Sequence, residues 1–385
     1  MRSRMNSKAC LAQVQGPAQR ILSSVLVRVP TGPKVTLAVL IQVVLVAACR
    51  TLSLFATCLQ LGKLSDQSVR DALRKTLPKS IRRLQEKLNS ALQDPLPAKT
   101  RRRKRALAID LHDVPYHGEP KKTNDLVHHK PKSGTTTFFC YGTVCLVERG
   151  YRYTLGYTWV RRNEKMTAVL KRLLNCVRQS GVPLRHLLLD RGFYTVSVMA
   201  FLQAEKIPFL MPVIFRGRRP RPGQKLTGLR ALRRGKAGWS LFTHRGKGQS
   251  VTTEICVAYR TYKHHKTHKR HQQKLVFAVW RLSGKATVIR ETYRKRFAIE
   301  STYRQLGHAR IRTSTSDPLL RLFFVGVSLL LRNLWVWLLW LHFGEQEDPA
   351  QQRQAKRIQL KGILLALAHQ CEFRLRSLLN ITPDL

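Results

Sequence analysis

Apolar positions fall three and four residues apart in the N-terminal part of the chain, alternate or run together through its middle, and return to helical spacing towards its end. Residues 1–34 are polar and basic, carry Pro30 and Pro33, and are expected to form an arm. Spacing from Val35 to Leu61 is helical. Ser65 then precedes Asp66 as a candidate N-cap, and Val69, Leu73 and Leu77 follow at four-residue steps before Pro78. Ile81, Leu84, Leu88 and Leu92 mark a second amphipathic helix. Two short helices around a proline, studded with Arg70, Arg74, Lys75, Lys79, Arg82 and Arg83, predict a helix-turn-helix-like DNA-binding region over 35–94. An ordinary helical hairpin with a solvated basic face has the same pattern.

Asp94 to Lys104 (DPLPAKTRRRK) holds two prolines and a basic run, and reads as a linker over 95–105. After it the rhythm changes. Ala106 to Asp110 has strand length, and Thr135–Val147 with Tyr151–Val160 predicts a β-hairpin turning at Gly150. Asn163–Ser180 is an amphipathic helix, Leu187–Asp190 a short buried strand, Val196–Glu205 a helix and Phe209–Ile214 a strand. Arg216 to Gly248 is rich in Gly, Arg and Lys and precedes strands at Val251–Tyr259 and Leu275–Trp280, a basic β-rich insertion over 216–285. Helical spacing resumes at Thr287. The order predicts an α/β fold, a mixed sheet flanked by helices. The core spans 106–215 and 286–343, the helical N-terminal region precedes it, and a helical tail covers 344–385.

Two apolar stretches raise the question of a membrane. Val35–Cys49 is roughly 15 residues against the ~20 that a span needs. Pro318–Phe343 is long enough, but Arg321, Arg332 and Asn333 interrupt it. A charge at mid-span is costly, so both are expected to be buried core helices, with no membrane partner.

Charge narrows the partners further. Lys and Arg number 70 against 21 Asp and Glu, a net +49, which makes nucleic acid the default partner. The eight cysteines include no CxxC pair and suit reduced, buried thiols in a cytoplasmic protein; the first 30 residues show no signal peptide. His264, His265, His268 and His271 lie among lysines without acid or cysteine partners, a solvated basic loop rather than a zinc site. Arg216, Arg218, Arg219 and Arg221 suit phosphate contacts. Trp239 is either buried in the insertion or free to stack on an unpaired base.

Acids are scarce, so those on buried strands stand out. Asp110 ends the run Ala-Leu-Ala-Ile, and Asp190 follows three leucines ahead of Gly192. Each needs a cation or donors nearby, because an unpaired buried carboxylate is expensive. Asp113 is an alternative first acid, with His112 and His117 flanking. On a predicted helix, Arg296, Glu300 and Arg304 share a face, one turn beyond Tyr293. A solvent-exposed ion-pair ladder is the plain explanation, but Phe297, Ile299 and Tyr303 imply packing.

These residues resemble the DDE transposases of prokaryotic insertion sequences, in the group with a Tyr-x-x-Arg-x-x-x-Glu signature. Tyr293, Arg296 and Glu300 match its spacing, and AIDLHDVPYHG, LLLDRGFY and the β-rich insertion match its layout over roughly 106–342. The resemblance implies an RNase H-like core and a pair of Mg2+ or Mn2+ ions held by Asp110, Asp190 and Glu300. It implies Arg296 on phosphate, with Tyr293 beside the cut. It also implies cleavage of transposon ends and joining to target DNA, with double-stranded terminal repeats as partner and a homodimer in the synaptic complex, associated with the nucleoid. The family often carries a Lys after the Glu where this chain has Gly307; Arg304, His308 or Arg310 is left to supply that charge. The competing expectation is a basic DNA-binding protein without catalysis, a decayed or repurposed transposase.

Overall fold

The computed structural model describes residues 7–26, 35–119, 125–147, 152–215, 221, 223–232, 236–246, 248–263, 268–297, 303, 305–344, 355 and 357–381. Its elements in chain order are α1 (Ser7–Val25), α2 (Leu37–Arg50), α3 (Leu54–Leu61), α4 (Asp66–Thr76), α5 (Ile81–Gln93), β1 (Arg105–Pro115), β2 (Val127–Lys132), β3 (Thr135–Val147) and β4 (Arg152–Val160). There follow α6 (Met166–Ser180), β5 (Leu184–Leu189), α7 (Val196–Ala204), β6 (Phe209–Pro212), α8 (Gly228–Leu232), β7 (Gly238–Gly246), β8 (Gln249–Lys263), β9 (Arg270–Trp280), α9 (Ala286–Arg294), α10 (Pro318–Phe343) and α11 (Leu360–Leu378).

Among the described residues the strands form one mixed sheet in the order β2-β3-β1-β5-β6-β9-β8-β7, with β4 also paired to β3. The run β4-β3-β1 is antiparallel and β1-β5-β6 is parallel. Because side chains alternate across a sheet, β1 and β5 each serve two cores. Leu107, Ile109, Leu187 and Leu189 join the large core that includes α5, α6 and α10. Ala108 and Leu188 join a smaller one closed by Ile289 and Tyr293 of α9. Helices therefore flank both faces, as expected.

The expected arm is instead partly α1. Val14, Ala18, Ile21, Leu22 and Val25 recur at three- and four-residue steps and are buried. Gly16 and Pro17 mask that stripe in the sequence. Gln13 Oε1 accepts from His342 Nε2 at 2.8 Å, and Gln19 accepts from Arg374 at 3.0 Å. Residues 27–34 lie outside the described residues.

The second of the two expected DNA-binding helices belongs to the core. On α5, Asn89 donates to the Tyr157 carbonyl (3.0 Å) and accepts from its amide (2.9 Å), while Gln93 donates to the Leu155 carbonyl (2.8 Å). These bonds lock α5 to β4 and leave Arg82 and Arg83 outward. The insertion likewise is no separate body: β9 pairs antiparallel with β6, Phe209 opposite Trp280, so β9, β8 and β7 extend the central sheet. Strand β7 falls in the stretch whose Gly and Arg content had suggested loop.

Both apolar stretches are interior helices. Helix α10 is long and apolar enough to span a membrane, yet it is mostly buried within the protein. Its polar residues fasten it to β4 and to the loop before it. Arg332 donates to the Arg152 carbonyl and to Gln305 (3.2 Å), and Arg321 donates to the Thr315 carbonyl at 2.5 Å. Trp335 and Trp340 are buried along it, the latter stacked on Tyr153. Helix α2 packs against α11, where Arg50 and Glu372 make a two-pronged ion pair at 2.8 Å per bond. Within the expected helical tail, α11 thus packs against the body. The cysteines other than Cys10 are free and buried.

Candidate active site

Strand β1 runs parallel to β5 with Ile109 opposite Leu189. The next residue on each strand is an aspartate, so Asp110 and Asp190 stand side by side. Both share the parity of Ala108 and Leu188, and so face the α9 side of the sheet. Asp110 accepts from the Leu111 amide at 3.0 Å. At Asp190 the strand stops and the chain tightens into a 3-10 turn, Arg191–Phe193, closed by a bond from the Phe193 amide to the Asp190 carbonyl at 3.0 Å.

Helix α9 ends at Arg294, and a 3-10 turn over Lys295–Phe297 follows. The single helix expected through Arg304 is broken there. That change of pitch carries Arg296 inward. Its side chain is 5% exposed, with Nη1 3.4 Å from Asp110 Oδ2 and Nη2 3.4 Å from Asp190 Oδ1. Nε donates to the Tyr293 hydroxyl at 3.0 Å, and the guanidinium lies 5.6 Å from that ring's centroid. Burial works against the charge on Arg296, but Tyr293, Asp190 and Asp110 outweigh it and raise its pKa. Burial likewise raises the Tyr293 phenol, which stays protonated.

Asp113 has the opposite parity to Asp110 and points to the other face, where it lies 3.6 Å from His129. It does not meet Asp190. His112, on the Asp110 face, stacks on Tyr303 with ring centroids 4.4 Å apart, and the Tyr303 hydroxyl bonds that of Thr143 at 2.7 Å. Thr143 is the β3 partner of Asp110. Burial first, then Arg310 and Lys132, push the His112 pKa down to about 4, so the ring is neutral at pH 7. Beyond it lies a cavity of about 200 Å³ lined by His112, Tyr141, Tyr303, Arg310 and Arg321 among others. Of the three cations considered in place of Gly307, Arg310 therefore reaches this cavity; His308 is exposed, and Arg304 lies outside the described residues.

Glu300, Arg216, Arg218 and Arg219 also lie outside the described residues. Sequence reasoning missed Thr143 and gave Tyr303 only a packing role. An aromatic three residues past the acid in the sequence was the available signal. His268 and His271 are exposed at the β8–β9 end, while His264 and His265 are outside the described residues. Trp239 is neither buried nor free: it is 38% exposed and its indole donates to the Gly284 carbonyl at 3.0 Å.

Two carboxylates, one within β1 and one just past the end of β5, already sharing one cation, are hard oxygen donors of the kind divalent Mg2+ or Mn2+ takes. Among the described residues no group of three His, Cys, Asp or Glu side chains is close enough to hold a metal. Asp110 and Asp190 fit such an ion as part of a donor set that needs a further ligand.

A model of the family described as the transposase DDE domain matches residues 101–331, more than half of the chain. No curated protein matches it. Among solved structures, the chain is similar to the piggyBac transposase in a cryo-EM structure of its synaptic complex with hairpin DNA. The TM-score is 0.58 at 12% identity, over 100% of this chain and 84% of that one. At that identity the likeness concerns the fold.

Proposed function

Because the chain belongs to the transposase DDE domain family, we propose that it is a DNA transposase that cleaves transposon ends and joins them to target DNA. The observation that carries this reading is the pairing of Asp110 with Asp190 on adjacent strands under Arg296. Asp110 and Asp190, with Glu300 as the third acid, would hold two Mg2+ or Mn2+ ions. Bound there, such ions supply Lewis-acid activation of water or a 3′-hydroxyl and stabilise the leaving oxygen. Strand β1 holds the Asp110 carboxylate, and the end of β5 brings Asp190 beside it, so the acids stand together before reaction. Tyr293 orients the Arg296 guanidinium, and a neutral His112 on Tyr303 keeps positive charge from crowding the carboxylates.

The partner is double-stranded DNA, both the terminal inverted repeats and the target, held by the basic surface that gives the chain its +49 charge. Exposed Arg82 and Arg83 contribute to that surface, and Arg216, Arg218 and Arg219 would add phosphate contacts. A homodimer assembles the two ends, as a synaptic complex requires.

The test is nicking of a duplex carrying the short inverted repeats that flank the coding segment, with and without Mg2+. Asp110→Asn, Asp190→Asn and Glu300→Gln should each abolish cleavage and leave DNA binding intact. Binding without metal-dependent cleavage in the parent protein would establish a non-catalytic DNA-binding protein instead.

A further inference from the structure

The β7–β8 hairpin grips the segment that follows Asp190 at several points. The Tyr194 hydroxyl bonds His244 Nδ1 at 2.9 Å, and His244 Nε2 bonds the Thr253 hydroxyl at 2.8 Å. All three residues are buried, at 4%, 5% and 2% exposure. Farther along, Gln203 of α7 donates to the Thr252 carbonyl at 2.8 Å. Gly246 lies so close to Val196 that a β-carbon there would come within 3.1 Å of it.

This contact bears on Asp190 because Tyr194 closes the turn that Asp190 opens. Its backbone bonds are internal, from the Phe193 amide to the Asp190 carbonyl and from the Tyr194 amide to the Arg191 carbonyl, both at 3.0 Å. Phe193 anchors it by burial alone, and Gly192 meets nothing within 4 Å of its missing side chain. A hydroxyl held by a buried imidazole fixes direction as well as depth, because a neutral ring presents one donor and one acceptor. Burial keeps His244 neutral, with its pKa lowered to about 4.

We propose that Tyr194 and His244 are positioning residues, and that the β7–β8 hairpin uses them to set the Asp190 carboxylate against Asp110. On this account the insertion's strands, besides extending the sheet, hold half of the carboxylate pair in register. The proposal rests on the assignment of Asp190 to the metal site, and its two measurements separate that assignment from the latch itself.

The full chain is titrated with Mn2+ by calorimetry without DNA, and backbone hydrogen exchange is followed over residues 190–195. Tyr194→Phe keeps the ring and removes the hydroxyl bond to His244. It should weaken Mn2+ binding several-fold, less than the ~10-fold or more that follows loss of a group bonded directly to a metal ligand, and speed exchange in the turn. Thr243→Val removes an exposed bond to Thr252 on the same hairpin and should change neither. His244→Gln, which retains a donor and an acceptor, should recover part of the affinity that His244→Leu loses. Unchanged Mn2+ affinity in Tyr194→Phe, or equal loss in Thr243→Val, overturns the proposal. If the parent chain binds no Mn2+, the metal assignment falls. Exchange then decides: faster exchange in Tyr194→Phe supports the latch, and unchanged exchange overturns it.

Discussion

Asp110 and Asp190 lie 3.4 Å from different nitrogens of one guanidinium, that of Arg296. Each acid is tolerated beside the other because a cation stands between them, and that cation is covalently part of the chain.

Replacing Arg296 by Ala leaves two neighbouring carboxylates without it. In EDTA the variant should lose about 2 kcal/mol, below the full cost of breaking a buried pair because Asp190 is 43% exposed. Added Mn2+ should raise the melting temperature of the variant more than that of the parent. Thermal melts with and without the ion check both statements, and an equal rise in the two proteins would remove Arg296 from the role of shared counter-ion.

A second prediction concerns the joint between α10 and β4. Asn333 donates to the Thr154 carbonyl at 2.8 Å and accepts from the Thr154 amide at 2.9 Å, copying the bonds of a neighbouring strand. Asn333→Leu strands both groups in a dry core, at a cost on the order of 3 kcal/mol. Denaturant unfolding measures it. A change below 1 kcal/mol, roughly the net worth of one ordinary bond, would show that the joint relaxes freely.

Stability should fall on acidification. His112, His186 and His244 are each held by burial at a pKa of about 4, below the usual 6.5. In the unfolded chain they take up protons near pH 6.5, so between there and pH 4 the unfolded state binds more protons. Their contribution is complete above pH 6.5 and is lost as pH drops through that window. Melting temperatures from pH 7 to pH 4 should decline, and less steeply in His112→Gln. Parallel curves for variant and parent would contradict the assignment of His112.

DNA affinity should fall steeply with salt, since releasing condensed counterions drives a partner this basic. A log–log slope of magnitude about 5 or more is expected from multiple phosphate contacts. A flat response in a filter-binding series would argue against the DNA reading.

Much of this architecture was legible in order and spacing. Asp110 and Asp190 announced themselves by ending apolar runs, and the β3–β4 hairpin and α6 followed their periodicities. Strand register was not legible, yet it is register that sets the two acids side by side; that Asp113 faces away follows from alternation along β1 alone. Helix α1 hid behind Gly16 and Pro17, since a stripe of five apolar residues is weak when breakers interrupt it. The break at Arg294 was invisible for a different reason: residues 293–304 keep helical spacing, and nothing in it marks the tightened turn in which Arg296 meets the two carboxylates.

The clasp between Arg50 and Glu372 has a consequence for synthesis. These residues are 322 positions apart, an interval of on the order of 15 to 60 s at ordinary translation rates. For that time the oily face of α2 has emerged and its mate α11 has not. A nascent chain must therefore shelter one of its most apolar segments until α11 is made, and its dependence on chaperones should be concentrated in that wait.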